Sequence, residues 1–442
     1  MYKHLPRLAG SHFPAFLKSK ANSFILGVLW LVLNACSDPL DVISPSATMT
    51  DNTAKVEGSL TYQKVSKSNS AKIMAHYMPW FKTKEFSGSW GMHWTMANRN
   101  PDNMNASGKR DIAANYYPII GTYDSNDPDL LMYHAILLKL SGIDGVFFDW
   151  YGTMDFSDWR EIKTSTENAV AIFSKAGLEF GIVYEDYILK VAVNNQLTNS
   201  MVSAAQNDMN YLSNTFFNNP LYLKYKGKPI LMAFGPQSLT SQQQWQSVFS
   251  VLPANQKPYF LPLWYHSQLA GSSSSGEFAW IAQDNLESLK NFYASRVKDI
   301  NASLYFSSVY PGFDSYYDQG GWGGNWWSIN HKNGQTLRET IQLAKNTNNK
   351  YIQLTTWNDF GEGTMLEPTQ EFGYSYLKQI QQLAGVSYTE NDLKIAERFY
   401  TLRKKYKNDR YKLAQLEQVF LYICKLQLNK ANDVLNSIEL VS

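Results

Sequence analysis

Between Lys72 and Thr356 the chain carries eight short apolar runs, and helical periodicity follows most of them. The runs are Lys72–Pro79, Asp144–Asp149, Glu179–Tyr184, Pro229–Phe234, Tyr259–Trp264, Phe278–Ala282, Ser303–Val309 and Tyr351–Thr356. All are of strand length, and a run that is apolar throughout has no face to give to water, so it needs cover on both sides. The helical stretches are 128–141, 158–176, 198–214, 241–251, 285–296, 336–346 and 372–384. Strands alternating with helices in this way predict an α/β protein, a (β/α)8 TIM barrel over residues 70–386. An open doubly wound sheet is the alternative, but no Gly-x-Gly-x-x-Gly turn follows an early run.

The flanks read differently. Lys3, Arg7, Lys18 and Lys20 precede the apolar run Phe24–Leu33, which is too short to span a bilayer and ends in Leu33-Asn-Ala-Cys36. A basic segment, a short apolar segment and small residues before a cysteine predict a lipoprotein signal over 1–35, with Cys36 as the lipidated residue. Two acyl chains there give a stable anchor in a bacterial cell envelope. Residues 36–69, rich in Ser, Thr, Asp and Lys, read as a flexible tether. Beyond residue 386, Asp392–Tyr406 and Tyr411–Ile438 show helical periodicity, which predicts a C-terminal helical hairpin over 387–442. Cys424 lies in an apolar helical setting and reads as a core residue.

Composition removes several functions. The 442 residues carry 40 Lys and Arg against 38 Asp and Glu, a net charge of +2 that offers no footprint for nucleic acid. Two cysteines cannot build a disulfide framework or a cysteine zinc site. No His/Asp spacing suggests a metal and no glycine loop suggests a nucleotide, so neither metal nor cofactor is expected. Aromatics reach 14%, with 13 Trp, 28 Tyr and 23 Phe. Aromatic faces stack on sugar rings, although a large core uses them too.

In a (β/α)8 barrel, function gathers at the C-terminal strand ends. Here those ends read Trp80, Asp149-Trp-Tyr151, Tyr184-Glu-Asp-Tyr187, Trp264-Tyr-His266, Asp314 and Trp357-Asn-Asp359. The sharpest segment is Thr355-Thr-Trp-Asn-Asp-Phe-Gly-Glu-Gly-Thr-Met-Leu-Glu-Pro368, which sets Asp359 and Glu362 three apart. Glycosidic cleavage needs one carboxylic acid to protonate the leaving oxygen and a second carboxylate as nucleophile or base. Two close carboxyls push their pKa values apart, which keeps one protonated near neutral pH. Gly361 and Gly363 allow the tight turn that brings both inward. Sugar contacts are expected from Tyr77, Trp80, His93, Trp94, Asp149, Glu185, Asp186, Tyr265, His266, Asp314, Trp357 and Asn358. His76, inside a strand, and His134, inside an apolar helix, read as structural.

Several segments together resemble glycoside hydrolase family 99, the endo-acting α-mannosidases and mannanases, and the related family 71 α-1,3-glucanases. They are Lys72–Trp80 with Trp90–Trp94, Gly121–Asp129 leading to Ser141–Gly145, Gly177–Tyr187, Gly227-Lys-Pro229 and Tyr310–Asp314. The last-strand segment of family 99 runs Trp-Asn-Glu-x-x-Glu-Gly-Thr, and its two catalytic glutamates fall on Asp359 and Glu362. The resemblance implies Glu362 as general acid/base and Asp359 as the base that draws a proton from the 2-hydroxyl, so that O2 attacks C1 with retention. This chain has Asp where family 99 has Glu, as family 71 does, and a water-activating, inverting role for Asp359 stays open beside the first.

The expected protein is thus a lipid-anchored, monomeric glycoside hydrolase acting on α-linked polysaccharide, with mannan or glucan as candidates. The Asp at 359 motivates an alternative, a surface glycan-binding lipoprotein that kept the barrel and lost catalysis. A third reading, the family-99-like module found beside glycosyltransferases in polysaccharide export, fits poorly with a secretion signal, because nucleotide-sugar donors are cytoplasmic.

Overall fold

The computed structural model describes residues 62–440 except 285, 298–303, 325 and 326. The expected signal, Cys36 and most of the expected tether lie outside the described residues. Eight parallel strands form the centre: β1 (Lys72–Tyr77), β2 (Gly145–Trp150), β3 (Glu179–Tyr184), β4 (Lys228–Ala233), β5 (Tyr259–Pro262), β6 (Gly276–Phe278), β7 (Leu304–Val309) and β8 (Tyr351–Leu354). Strands β1 to β5 pair in sequence, and β6 pairs with β7, β7 with β8 and β8 with β1. A parallel bridge between Leu263 and Phe278 joins β5 to β6, so the ring is complete. Seven strands fall within two residues of their predicted runs. The sixth falls earlier, at Gly276–Phe278, because Ala279–Ala282 continue beyond the paired segment.

Helices α1 (Pro128–Leu140), α2 (Trp159–Lys175), α3 (Met201–Leu212), α4 (Gln242–Ser250), α5 (Leu286–Val297), α6 (Gln335–Asn346) and α7 (Ser375–Ala384) cover the ring. Start signals are visible in the sequence: Asp127 accepts the amide of Asp129 with Pro128 at the first position of α1, and Ser200 and Ser241 cap α3 and α4. Strand alternation sorts the apolar residues into two layers. Met74, Phe147, Val183, Ile230, Met232, Leu261, Phe278 and Phe306 fill the barrel interior. Ile73, Ala75, Tyr77, Val146, Phe148, Trp150, Ile182 and Tyr184 face outward and pack under the helices.

Two expectations change. The C-terminal region is three helices, α8 (Glu390–Lys405), α9 (Arg410–Cys424) and α10 (Leu428–Leu440), because Leu426 adopts φ +57 and breaks the second predicted helix. Helix α8 lies along α1, whose residues 130–140 are all buried, and Arg403 and Lys404 pair with Asp129 and Asp127 at its start. Residues 62–69, expected as tether, are bound at the strand-start end of the barrel. Gln63 N–H donates to the Cys424 carbonyl (2.9 Å), Lys67 pairs with Asp144 (2.5 Å), and the Lys139 ammonium reaches the Gln63 carbonyl (2.6 Å).

Candidate active site

The alternation that fills the barrel also decides which polar groups enter its mouth. Counting from the interior residues Met74, Phe147 and Val183, the next inward positions are His76 on β1, Asp149 on β2 and Glu185 just after β3. All three are buried, at 1%, 3% and 7% exposure. Nε2 of His76 lies 3.9 Å from Asp149 Oδ1, and its ring sits edge-on to Trp280 at 4.8 Å. Asp149 stands opposite Val183 on the paired strand, so Glu185 follows close beside it.

The turn after β8 brings the other acids to the same mouth. Thr356 Oγ1 accepts the Asp359 amide (2.8 Å) and pairs with the Thr364 hydroxyl (2.9 Å), which closes the base of the turn. Asp359 Oδ1 accepts the Glu362 amide (3.0 Å), and Asp314 N–H donates to the Glu362 carbonyl (2.8 Å). Gly363 stands at φ +66, and a Cβ there would meet the Asp314 carbonyl at 2.8 Å, so only glycine lets the turn pass so close. The side chains of Asp359 and Glu362 are 3% and 2% exposed. The Tyr317 hydroxyl donates to Glu362 Oε1 at 3.3 Å.

Asp149, Glu185, Asp359 and Glu362 are all buried at the C-terminal strand ends, and like charges placed together in this way oppose ionisation. Burial pushes Asp359 up to about 7, with the Asp149 charge adding to it and the amides of Glu362 and Gly361 opposing it. Burial, then the charges of Asp359 and Asp149, hold Glu362 well above the ordinary glutamate range, while the Tyr317 hydrogen bond pulls it back. Glu185 is held well above its range by burial first and then by Asp149. Burial and neighbouring charge thus favour the protonated form of Glu185, Asp359 and Glu362, the form that a general acid needs. Among the described residues no group of three or more His, Cys, Asp or Glu is arranged to hold a metal ion.

Five expected sugar contacts are committed elsewhere. Tyr77 points outward from β1, and its hydroxyl bonds His134 Nδ1 at 2.8 Å under α1. Trp94 is fully buried with its indole N–H on the Tyr123 carbonyl (2.9 Å). Trp357 lies beneath the mouth against the His134 ring. Asn358 clamps the loop after β1: it accepts from Met78 N–H (2.8 Å) and donates to the Met78 carbonyl (3.0 Å) and the Tyr123 hydroxyl (3.2 Å). Asp186, next to inward Glu185, turns away and accepts the amides of Gln237, Ser238 and Leu239 at 2.8–3.0 Å, which fixes the loop after β4.

The remaining expected contacts stay nearer the surface. Trp80 is half-buried and stacks on His93 at 4.0 Å, His93 in turn meets Trp322 edge-on, and Trp322 stacks on Tyr317. A cleft of about 230 Å³ opens beside Trp80 and Trp90, between Lys82, Asp158 and Glu161, and none of the four carboxyls lines it. Asp314 accepts from the Tyr116 hydroxyl (3.1 Å), and Tyr265 and His266 lie partly exposed on the turn after β5. Sequence reasoning missed His76 and Tyr317. Strand parity marks the first, but only the fold reveals the second.

A parallel α/β barrel with acids buried at its strand-end mouth offers the carboxyl groups that two-carboxyl glycoside hydrolysis needs. Comparison with known proteins specifies it further. Residues 69–258 match the family described as "Glycosyl hydrolase family 99", and residues 285–380, which hold Asp359 and Glu362, match the family described as "Glycosyltransferase WbsX". The chain is 24% identical over 329 residues to the mouse "Glycoprotein endo-alpha-1,2-mannosidase-like protein", covering 67% of this chain and 69% of that one. It is 23% identical over 339 residues to the mouse "Glycoprotein endo-alpha-1,2-mannosidase", covering 67% of each. Its fold is similar to the solved GH99 endo-alpha-mannosidase from Bacteroides thetaiotaomicron, with TM-score 0.56, 18% identity, and coverage of 74% of this chain and 98% of that one. These similarities support glycoside hydrolase family 99 and a glycoside hydrolase.

Proposed function

We propose that the chain is an endo-acting hydrolase of an α-mannan-type polysaccharide, with Glu362 as general acid/base and Asp359 as its partner carboxylate. The observation that carries this reading is the burial of both side chains in one turn at the barrel mouth, each held above its ordinary pKa. Protonated Glu362 gives its proton to the glycosidic oxygen as the C1–O bond breaks. Ionised Asp359 takes a proton, either from the sugar's 2-hydroxyl so that O2 attacks C1, or from a water that attacks C1 directly. In the first route water then opens the O2-bridged intermediate, with Glu362 acting as base; the second ends in one step. Trp80, His93, Tyr265, His266 and Asp314 serve as sugar contacts. The endo-α-1,2-mannosidases among the relatives supply the substrate class. A lipid on Cys36 anchors the enzyme in the cell envelope, as the basic and apolar segments before it suggest.

The test is release of reducing ends from a panel of α-mannans and α-glucans, with the anomeric configuration followed by NMR. Glu362→Gln is expected to abolish release while leaving the circular dichroism spectrum intact, and undiminished release refutes its role. Retention of the polymer without cleavage by the wild type supports the glycan-binding alternative. The match of residues 285–380 to a family described as a glycosyltransferase favours a second reading, in which an acceptor hydroxyl replaces water. Transfer of sugar to an added alcohol in preference to water identifies it.

A further inference from the structure

We propose that Glu367 is a positioning residue for the catalytic turn, acting from beneath the barrel mouth through Tyr123 and Asn358 on the neighbouring Asp359. This rests on the hydrolase reading of that turn and adds to it a group that touches neither substrate nor the reacting atoms. Glu367 follows the turn after β8, and the buried polar side chains around it come from distant parts of the chain: Tyr77 on β1, Tyr123 before α1, His134 on α1 and Asn358 in the turn itself. Oε2 of Glu367 accepts the Tyr123 hydroxyl at 2.8 Å, and the Tyr123 oxygen accepts Asn358 Nδ2 at 3.2 Å. Oε1 of Glu367 lies 3.2 Å from His134 Nε2, and neither of those two atoms has another partner. On its other side His134 Nδ1 meets the Tyr77 hydroxyl at 2.8 Å.

The order of donors and acceptors along this chain is what lets it position. A tyrosine hydroxyl has a single proton to give. Tyr123 gives its proton to Glu367, so only lone pairs face Asn358, and the side of the amide turned to Tyr123 must be the NH2 side. Nδ2 then also donates to the Met78 carbonyl (3.0 Å), and Oδ1 accepts the Met78 N–H (2.8 Å). Without the Glu367 acceptor the Tyr123 proton is free to turn to Asn358, and an amide rotated to accept it sets oxygen against the Met78 carbonyl and nitrogen against its N–H. Asn358 precedes Asp359, and its carbonyl accepts the Phe360 amide (3.0 Å), so its orientation passes to the backbone that carries the Asp359 carboxyl. The Glu367 N–H binds the same stretch from the other side, donating to the Trp357 carbonyl at 2.9 Å. A polar cluster buried in this way gains little stability over apolar side chains of the same shape, and its use is to fix one arrangement.

The experiment measures kcat and KM on a neutral α-mannan oligosaccharide for Tyr123→Phe, Glu367→Met, the two combined, and Glu367→Gln. Tyr123→Phe removes only the oxygen between Glu367 and Asn358, and Glu367→Met removes the acceptor. Each is expected to lower kcat about tenfold and to leave KM within about twofold. The combined variant is expected to lose no more than either alone, because both changes cut the same link. Glu367→Gln keeps an acceptor oxygen for Tyr123 and is expected to hold kcat within about threefold of wild type. Circular dichroism and the urea midpoint check that each variant folds, and if Glu367→Met does not, Tyr123→Phe and Glu367→Gln decide alone. The idea is overturned if Tyr123→Phe keeps kcat within about twofold or raises KM instead, or if the two losses multiply in the combined variant. A crystal structure of Tyr123→Phe beside that of the wild type needs no turnover: the Asp359 carboxyl is expected to move by more than about 0.5 Å, and an unmoved carboxyl overturns the idea. A wild type that releases no reducing ends refutes the hydrolase reading, while the place of the Asp359 carboxyl still decides the positioning.

Discussion

Asn358 separates a sugar contact from a structural clamp. Its amide satisfies both polar groups of Met78, at 2.8 and 3.0 Å, and adds a bond to the Tyr123 hydroxyl, all without solvent exposure. Asn358→Ala leaves the Met78 N–H and C=O unpaired at a buried position. Each such orphan costs about 1–3 kcal/mol, so the pair costs about 2–6; Tyr123 keeps its bond to Glu367 and adds little. Taking about 4 kcal/mol and a urea slope of about 3 kcal/mol per M, the midpoint of unfolding falls by about 1 M or slightly more. Asn358→Asp is expected to be no better, because a carboxylate faces the Met78 carbonyl with a charge and no donor. A residue that merely touched substrate would leave stability within about 0.5 kcal/mol and raise KM instead. A midpoint shift under about 0.2 M together with a raised KM would refute the clamp.

Two further outcomes follow from the raised acids. Asp359 titrates near 7 in the fold and near 3.8 unfolded, so the folded state holds the extra proton between those values. The part of the stability that depends on Asp359 is therefore greatest below pH 4 and is lost as pH rises through 7, and Asp359→Asn, which cannot ionise, is expected to unfold at higher urea than wild type at pH 8 with no advantage at pH 3.5. The Tyr317 hydroxyl lowers the pKa of Glu362 by stabilising its carboxylate. In Tyr317→Phe the alkaline limb of kcat/KM against pH is expected to move upward while kcat drops about tenfold, and an unmoved limb counts against the contact.

The sequence made the strands legible and left their parity hidden, for one physical reason. Run Lys72–Pro79 is covered on both faces, so no polar alternation marks which residue looks inward, and Tyr77 reads as the better sugar ligand because it is aromatic. Pairing with β2 and β8 sets the parity, and it sends Tyr77 under α1 and His76 into the mouth. The same rule divides Glu185 from Asp186, which chemistry alone treats as twins. Helix ends behaved likewise: Ser200 and Ser241 announce α3 and α4, but nothing in Lys425-Leu-Gln427 announces a break, since it holds neither Gly nor Pro. Asp359 and Glu362 were found because their spacing, three residues with a glycine between, is a local property that a turn preserves. Tyr317 was not, because its relation to Glu362 exists only once a loop after β7 folds over the end of β8. A residue's chemistry is written in its type, but whether it faces substrate is decided by partners far away in the chain. For that reason the inward acids of β2 and β3, Asp149 and Glu185, are recognised at the mouth only once strand pairing is known.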